Sequence, residues 1–240
     1  MISLLYIVTP FKGSVDDLLL TCSSLRSSPC ISFLHHVVVS DPTCFEAADL
    51  ALECYKQVPI SHTHFRSLHS GIYEAINQAI SDLPLDAWYV VLGAGDTLFV
   101  NSLPSFPRYS LALRVPYSLS SAPELVYSVL KKPLSGMPYC HNALVYQRSV
   151  GLYPLGFSIS ADYSHFLGLI GPDRPLKRIS ESIPLFTGMH VVFDNISGIS
   201  STKKLRMHAE NIAILFDKFG LVSIGFYVAY RVLRLFRFSR

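Results

Sequence analysis

The sequence predicts an α/β fold built on a doubly wound, mostly parallel β-sheet. Over residues 1–100, short apolar runs alternate with segments whose apolar residues recur at helical spacing. This is the pattern of strands joined by right-handed helical crossovers. The clearest strand is the run at 86–92, which Gly93-Ala94-Gly95-Asp96 ends sharply. In such sheets ligands bind beyond the carboxyl ends of the strands, and Thr9, Asp41 and Asp96 fall at such ends.

Each predicted element has a local reason. Strands are predicted where short apolar runs meet turn residues, at 3–8, 33–39, 57–60 and 86–92. Helices are predicted where apolar residues recur every three or four positions, at 15–25, 45–55 and 71–80. Prolines are dense between 104 and 138, and the later strands, at 110–115 and 143–146, are short. Helices are predicted again at 162–170 and 203–217.

The composition is apolar and weakly charged. Half of the residues are hydrophobic, the mean hydropathy is +0.36, and 15% are charged, against about a quarter in an average soluble protein. A net charge of +3 is too small to indicate a nucleic-acid partner. The five cysteines are odd in number and have no CxxC spacing, which favours reduced thiols in a cytosolic compartment. The sequence predicts no spanning helix, because no run of roughly 18 apolar residues is unbroken.

Three blocks of sequence carry a resemblance to a known family. The first is GIYEAIN at 71–77, followed by WYVVLGAGDTLF at 88–99. The second, at 138–167, has a Pro-x-x-His strand, a Gly-aromatic turn and an Ala-Asp-Tyr helix start. The third is FDNISGISS at 193–201. Together they resemble family 2 glycosyltransferases of the bacterial polysaccharide-assembly type, over roughly residues 3–217.

The resemblance implies the GT-A fold, a Rossmann-like sheet with an acceptor-side region. It also implies that a sugar is moved, with inversion, from a nucleotide-diphosphate sugar to a lipid-linked glycan or a surface polysaccharide precursor. Residues 1–100 are then the nucleotide-sugar-binding half, 101–205 the acceptor-side half of the same domain, and 206–240 C-terminal amphipathic helices.

Sugar transfer explains which side chains are needed. The diphosphate leaving group needs a divalent cation, Mg²⁺ or Mn²⁺, and the acceptor hydroxyl needs a carboxylate that removes its proton. By the resemblance, Asp96 faces the metal and Asp162 is the general base. The remaining residues predicted to bind donor or acceptor are Thr9, Pro10, Asp41, Gly71, Tyr73, Asn77, Gly95 and His141.

These residues also have structural interpretations. An aspartate that follows a strand is commonly a turn residue, which applies to Asp96 and Asp41. Asp162 suits an N-cap at the start of a helix. His141 suits a hydrogen-bonded histidine of the core.

Departures from the family pattern leave other functions open. The motif at 94–96 keeps one acid, so the first alternative is a degenerate relative that binds a nucleotide or a partner without catalysis. The second is a nucleotidyltransferase, for which the stretch at 9–13 is a poor phosphate loop. His62, His64 and His69 are interpreted as a polar loop rather than a zinc site.

The C-terminal tail predicts contact with a membrane surface. Residues 219–230 are almost all apolar, and Arg231, Arg234, Arg237 and Arg240 follow at intervals of three. This pattern suits the interface of an anionic leaflet. It indicates a cytoplasmic protein that is peripheral on the inner face of the plasma membrane. The alternative is a helix that docks on the domain with its arginines in solvent.

Overall fold

The computed structural model describes residues 4–68, 70–106, 111–130, 134, 136–169, 183–194 and 203–237. Its strands are β1 (Leu5–Phe11), β2 (Leu34–Ser40), β3 (Ser61–Arg66), β4 (Trp88–Val91), β5 (Thr97–Val100), β6 (Ala112–Arg114), β7 (Tyr117–Leu119), β8 (Ala122–Tyr127), β9 (Leu144–Gln147) and β10 (Met189–Phe193). Its α-helices are α1 (Val15–Arg26), α2 (Phe45–Leu52), α3 (Ile72–Ser81), α4 (Ala161–Gly168), α5 (Lys204–Phe219) and α6 (Leu221–Arg237).

The main sheet has six strands in the order β3-β2-β1-β4-β9-β6. The first four of these run parallel, and β9 and β6 complete the sheet with antiparallel pairings. The predicted mostly parallel α/β sheet is therefore confirmed. Because β6 and β9 belong to the same sheet as β1–β4, the chain on both sides of residue 101 contributes to it.

The centre of this sheet is β1 and β4, whose apolar runs were the clearest strand signals. All four residues of β4 are buried, and Tyr89 and Val90 have no exposed surface. A parallel strand covered on both faces needs such a continuous apolar run. Helix α3 packs on β1 and β2. Each fully buried large apolar side chain stabilises the fold by about 1.5–3 kcal/mol.

A second sheet has four strands in the order β5-β10-β7-β8. The sequence did not predict it, because its strands are only three to six residues long and lie among prolines. Its effect on the cleft is direct, since β5 follows the turn after β4 and β10 ends beside that turn. The backbone N–H of Asp194, just after β10, donates to Asp96 Oδ1 at 2.8 Å.

The strand predicted at 57–60 is wrong, because the strand of this region is β3, which begins at Ser61, directly after the predicted segment. β3 pairs only with β2 at the edge of the main sheet, so it does not need an apolar sequence. His62 and His64, interpreted as loop residues, lie in this strand. His64 bonds Ser40 and Asp49, and His69 lies outside the described residues.

β1 runs through Thr9 and Pro10, which were expected to end it. Within β1, Leu5–Val8 pair with both β2 and β4, whereas the last three residues pair with β2 and not with β4. A proline is tolerated at such an edge-like position.

The two C-terminal helices pack against each other. Gly220 joins them with a φ of 72°, a conformation that favours glycine. On α6 the buried residues Ser223 and Tyr227 lie four positions apart, and Arg231 continues the same face. Within the described part of the chain, we find no helix long and apolar enough to cross a bilayer.

Candidate active site

A cleft of about 840 Å³ opens at the carboxyl ends of β1 and β4. Seven parts of the chain supply the main polar side chains of its lining: the loop after β1, helix α1, the turn after β4, the turn before β9, the start of α4, the residue after β10, and α6. The main polar residues are Lys12, Asp17, Asp96, Asn142, Asp162, Asp194 and Arg231.

Asp96 is fixed by hydrogen bonds from three directions. Its Oδ2 accepts the backbone N–H of Gly93 at 3.0 Å and the side-chain amide of Asn142, and its Oδ1 accepts the N–H of Asp194. The turn that carries Asp96 is held in turn by α1, where Thr21 Oγ1 donates to the Asp96 carbonyl at 2.8 Å. Asp96 is therefore more than a surface turn residue, since only 3% of it is exposed.

Burial raises the pKa of Asp96 to about 7, and the nearby carboxylate of Asp194 adds to the increase. The N–H bonds from Asp194, Asn142 and Gly93 oppose it, because they favour the charged form. Burial is the largest of these effects. At neutral pH the carboxyl is therefore poised between its two protonation states, and a bound cation would favour the ionised one.

Gly95 shapes the turn rather than lining the cleft. Its φ is 95°, and its N–H donates to the Asp17 carbonyl at 3.0 Å. Gly93 has a different constraint, because a Cβ there would lie 2.9 Å from Asp96 Oδ2. The glycines of this turn thus let the chain wrap closely around the Asp96 carboxyl.

Asp162 lies in the first turn of α4 and lines the same cleft. Its Oδ1 accepts the N–H of Tyr163 at 2.8 Å and the hydroxyl of Tyr73 at 3.5 Å. The helix N-cap is Ser160, whose side chain makes no capping bond. Glu210 of α5 holds the segment just before the helix, with Oε2 accepting the N–H groups of Ile159 and Ser160, each at 2.9 Å. Interpreting Asp162 as an N-cap is therefore wrong.

Burial raises the pKa of Asp162 to about 6, and the charge of Glu210 adds to the increase. The side chain nevertheless has part of its surface open towards the cleft. A carboxylate whose pKa lies close to neutral is suited to accept a proton from a substrate and release it again.

The thiol of Cys140 is influenced by the charges of both carboxyl groups. Burial raises the pKa of its thiol to about 12, and the charges of Asp96 and Asp162 both contribute. Cys140, Asp96 and Asp162 all line the same cleft. Asp96 and Asp162, 66 residues apart in the sequence, thus converge on one cleft.

Three of the predicted binding residues also line this cleft: Pro10, Tyr73 and His141. Tyr73 donates to the carbonyl of Ile159 at 2.8 Å. His141 Nε2 lies 3.3 Å from the Tyr153 hydroxyl, and its Nδ1 is buried without a partner among the described residues. Burial lowers the pKa of His141 to about 3, so this imidazole is neutral at physiological pH.

The other predicted binding residues lie outside the cleft lining. Thr9 is fully buried and bonded to His36 at 2.9 Å. Asn77 pairs with the backbone of Tyr153 through two bonds of 2.8 Å, and Gly71 starts α3 in an extended conformation. Asp41 caps the turn at Thr43 and forms a 2.9 Å ion pair with Lys12, which does line the cleft.

Comparison with known proteins addresses the fold. No protein-family model and no curated protein sequence matches the chain. Among solved structures, residues 1–349 of S. aureus TarS with UDP-GlcNAc superpose with a TM-score of 0.62 at 10% identity, covering 94% of this chain and 71% of that one. GalNAc-T7 with UDP, GalNAc and Mn²⁺ gives 0.60 at 12%, covering 95% and 50%.

The mannosyltransferase PcManGT from Pyrobaculum calidifontis, with GDP-Man and Mn²⁺, gives a TM-score of 0.52 at 13% identity and covers 96% of this chain and 80% of that one. These neighbours are GT-A glycosyltransferases. The chain has the GT-A fold. The fold that the sequence resemblance implied is thereby confirmed, at identities too low for the alignment to carry over any residue.

Within this GT-A domain, several polar residues of the cleft were not predicted. Asn142 and Asp194 contact Asp96, and Lys12 and Arg231 bring positive charge to the lining. The sequence gave no reason to select Asn142, although its neighbour His141 was predicted to bind donor or acceptor. Arg231 was assigned to a membrane-facing tail, and nothing in its local sequence points to Asp96 and Asp162, which lie 135 and 69 residues earlier in the chain.

A divalent cation fits this GT-A site only together with a diphosphate. Among the residues that the structure describes, no group of three or more Asp, Glu, His or Cys side chains could hold a metal ion. Asp96 Oδ2 already accepts two N–H bonds, but Oδ1 accepts one, which leaves a lone pair for a cation. Mg²⁺ commonly binds through one or two carboxylates plus substrate phosphate oxygens.

Proposed function

We propose that the protein is an inverting glycosyltransferase that uses a nucleotide-diphosphate sugar. The observation that carries the proposal is the convergence of Asp96 and Asp162 on one cleft at the carboxyl ends of β1 and β4. The GT-A fold supports the same reaction class, because its neighbours were crystallised with UDP, UDP-GlcNAc or GDP-Man.

The proposed chemistry is a single displacement at the anomeric carbon. The acceptor hydroxyl gives its proton to Asp162 while the hydroxyl oxygen forms a bond to the anomeric carbon. The bond to the diphosphate oxygen breaks on the opposite side, and the diphosphate leaves with the electron pair. We assign the proton to Oδ2 of Asp162, because Oδ1 already accepts the bonds from Tyr163 and Tyr73.

On the donor side, we assign the diphosphate to the end of the cleft that holds Asp96. Lys12, positioned by its ion pair with Asp41, supplies positive charge there. A bound Mg²⁺ or Mn²⁺ would neutralise the leaving group as it departs, with Asp96 Oδ1 as its protein ligand. The bonds to Asp96 also fix the turn after β4, and we assign the backbone of this turn to contact with the donor.

A panel of nucleoside diphosphates tests this proposal. Calorimetric titration with UDP, GDP, ADP, CDP and dTDP, with and without Mn²⁺, should give binding of one of them, tighter with the metal. The matching nucleotide sugar should then be hydrolysed slowly in the absence of an acceptor. If none of them binds, the protein is not a glycosyltransferase of this class. Binding without any turnover would instead favour a degenerate relative that does not catalyse. The three N–H bonds that Asp96 accepts support this alternative, because they already occupy part of its carboxyl group.

We further propose that the acceptor is lipid-linked and that the protein docks on the cytosolic face of an anionic membrane through α6. The helix exposes large apolar side chains on the side away from Tyr227: Leu221, Val222, Phe226 and Val232. Its arginine-rich end suits anionic headgroups, and all five cysteines are free thiols, as in a reducing compartment.

Vesicle binding tests the membrane proposal. The protein should sediment with phosphatidylglycerol vesicles, and the double variant Val222→Asp with Phe226→Asp should stay in the supernatant. Leu50→Asp, at a site on α2 that is 70% exposed, is the matched control and should still sediment. Equal sedimentation of all three proteins would reject α6 as the docking surface.

A further inference from the structure

Arg231 brings positive charge from the C-terminal helix α6 to the cleft lining. It continues the buried face of α6 on which Tyr227 lies, and its guanidinium carbon sits 5.2 Å from the centre of the Tyr227 ring. Gly136 makes room for it. The φ of Gly136 is 112°, and a Cβ there would lie 3.3 Å from Arg231 Nη2. The chain at Gly136 and α6 are thus fitted around this side chain.

The guanidinium lacks a counter-charge within the described part of the chain. Its Nε is buried without a hydrogen-bond partner, and the salt bridges found there join other residues. A guanidinium has five N–H donors, and a buried donor without an acceptor costs free energy. A side chain held in this state at a cleft wall is suited to an anion that arrives with a ligand.

The position of Arg231 indicates which end of the cleft the anion occupies. Asn211 on α5, which lies with Arg231 beside Gly136, lines the same end of the cleft. Its charge also reaches Tyr163, the residue after Asp162, whose pKa burial raises and Arg231 partly lowers. Asp96 is instead surrounded by Gly93, Asn142 and Asp194. Arg231 therefore stands on the side of the proposed base, away from the proposed diphosphate of the donor.

We propose that Arg231 binds a phosphate group of the acceptor, so that the enzyme selects acceptors with a phosphate near the hydroxyl that reacts. The inference rests on the proposed function, since it names the substrate class of the same site. Arginine binds phosphate oxygens through two parallel N–H bonds, which gives both affinity and orientation. The exposed apolar side of the same helix suits the lipid part of such an acceptor.

Titrations with two small amphiphiles test the assignment without a donor. Geranyl phosphate and geraniol have the same chain and differ in the phosphate. The full-length protein should bind geranyl phosphate at least about tenfold more tightly, the effect of a charge-assisted hydrogen bond. Arg231→Gln should remove this preference, Arg231→Lys should keep part of it, and inorganic phosphate at millimolar concentration should compete.

Lys218→Gln is the matched control, because it removes one positive charge from the exposed end of α5 outside the cleft. It should leave the preference unchanged. The proposal is overturned if the wild type does not prefer the phosphate, or if Arg231→Gln keeps the preference. It is also overturned if Arg231→Gln weakens binding of the nucleoside diphosphate and leaves geranyl phosphate unaffected, because Arg231 would then serve the donor. Failure of the wild-type protein to bind any nucleoside diphosphate would separately refute the proposed function.

Discussion

Asp96 and Asp162 line the same cleft and both have a raised pKa, but the groups that hold them differ. Asp96 accepts N–H bonds on both carboxyl oxygens, and only 3% of it is exposed. Asp162 accepts its bonds from Tyr163 and Tyr73 on one oxygen and keeps some open surface. Burial alone therefore does not assign a role to a carboxyl group. In the proposed mechanism Asp96 holds the turn and a charge, whereas Asp162 takes a proton.

The largest expected effect comes from Asp162→Asn. Loss of a general base should lower kcat by about 10²–10⁴-fold, while the dissociation constant for the nucleoside diphosphate should change less than twofold. Steady-state kinetics and calorimetry measure the two quantities. Asp86→Asn, at an exposed position before β4, is the control and should keep wild-type turnover. A fully active Asp162→Asn protein would remove Asp162 from the mechanism.

The same substitution at Asp96 should affect stability as well as activity. An asparagine has one acceptor oxygen where three N–H donors now converge, so at least one donor would lose its partner. The free energy of unfolding should fall by about 1–3 kcal/mol, measured by urea denaturation. Asp162→Asn should change it much less. Equal losses at the two sites would contradict the distinction drawn between them.

The pH dependence sharpens this contrast. Burial raises the folded-state pKa of Asp96 to about 7 from its ordinary value of 3.8, so between these two pH values the folded protein holds a proton that the unfolded chain has released. The contribution of this proton to the free energy of unfolding is complete below about pH 3.8 and is lost as the pH rises through 7. Asp96→Asn should therefore destabilise the protein more at pH 5 than at pH 8. A pH-independent difference would show that Asp96 does not titrate in this range.

The smallest effect is expected at Tyr73. Its hydroxyl lowers the pKa of Asp162 through a bond of 3.5 Å. kcat/KM should rise with pH through about 6, as Asp162 ionises. Tyr73→Phe should move this limb upward by about half a pH unit or less. A shift downward would mean that Tyr73 stabilises the neutral acid instead.

Sequence reasoning reached the parts of the fold where local pattern and burial agree. β4 is covered on both faces and α3 has one buried face, so their residue patterns record their structure. β3 was misplaced because an edge strand tolerates a polar sequence, and the second sheet was missed because its strands are short.

In the site, the position of Asp96 and Asp162 in one cleft was predictable, because each belongs to a recognisable motif on a predicted element, and their roles stay predictions. Asp194 and Arg231 were not, because distant segments bring them to the cleft. For Arg231, a periodic arginine pattern on an apolar helix indicated a membrane surface, whereas the packing of α6 against α5 turns Arg231 towards the cleft. Packing between elements of this kind has no local signature in the chain.

A crystal structure with the nucleoside diphosphate that binds, and with an inert analogue of its sugar donor, tests the central claim most directly. Two acids should flank the bound sugar, with the diphosphate beside Asp96 and the opposite face of the anomeric carbon open towards Asp162. A nucleotide bound elsewhere, or a diphosphate on the same face of the sugar as Asp162, would contradict the account.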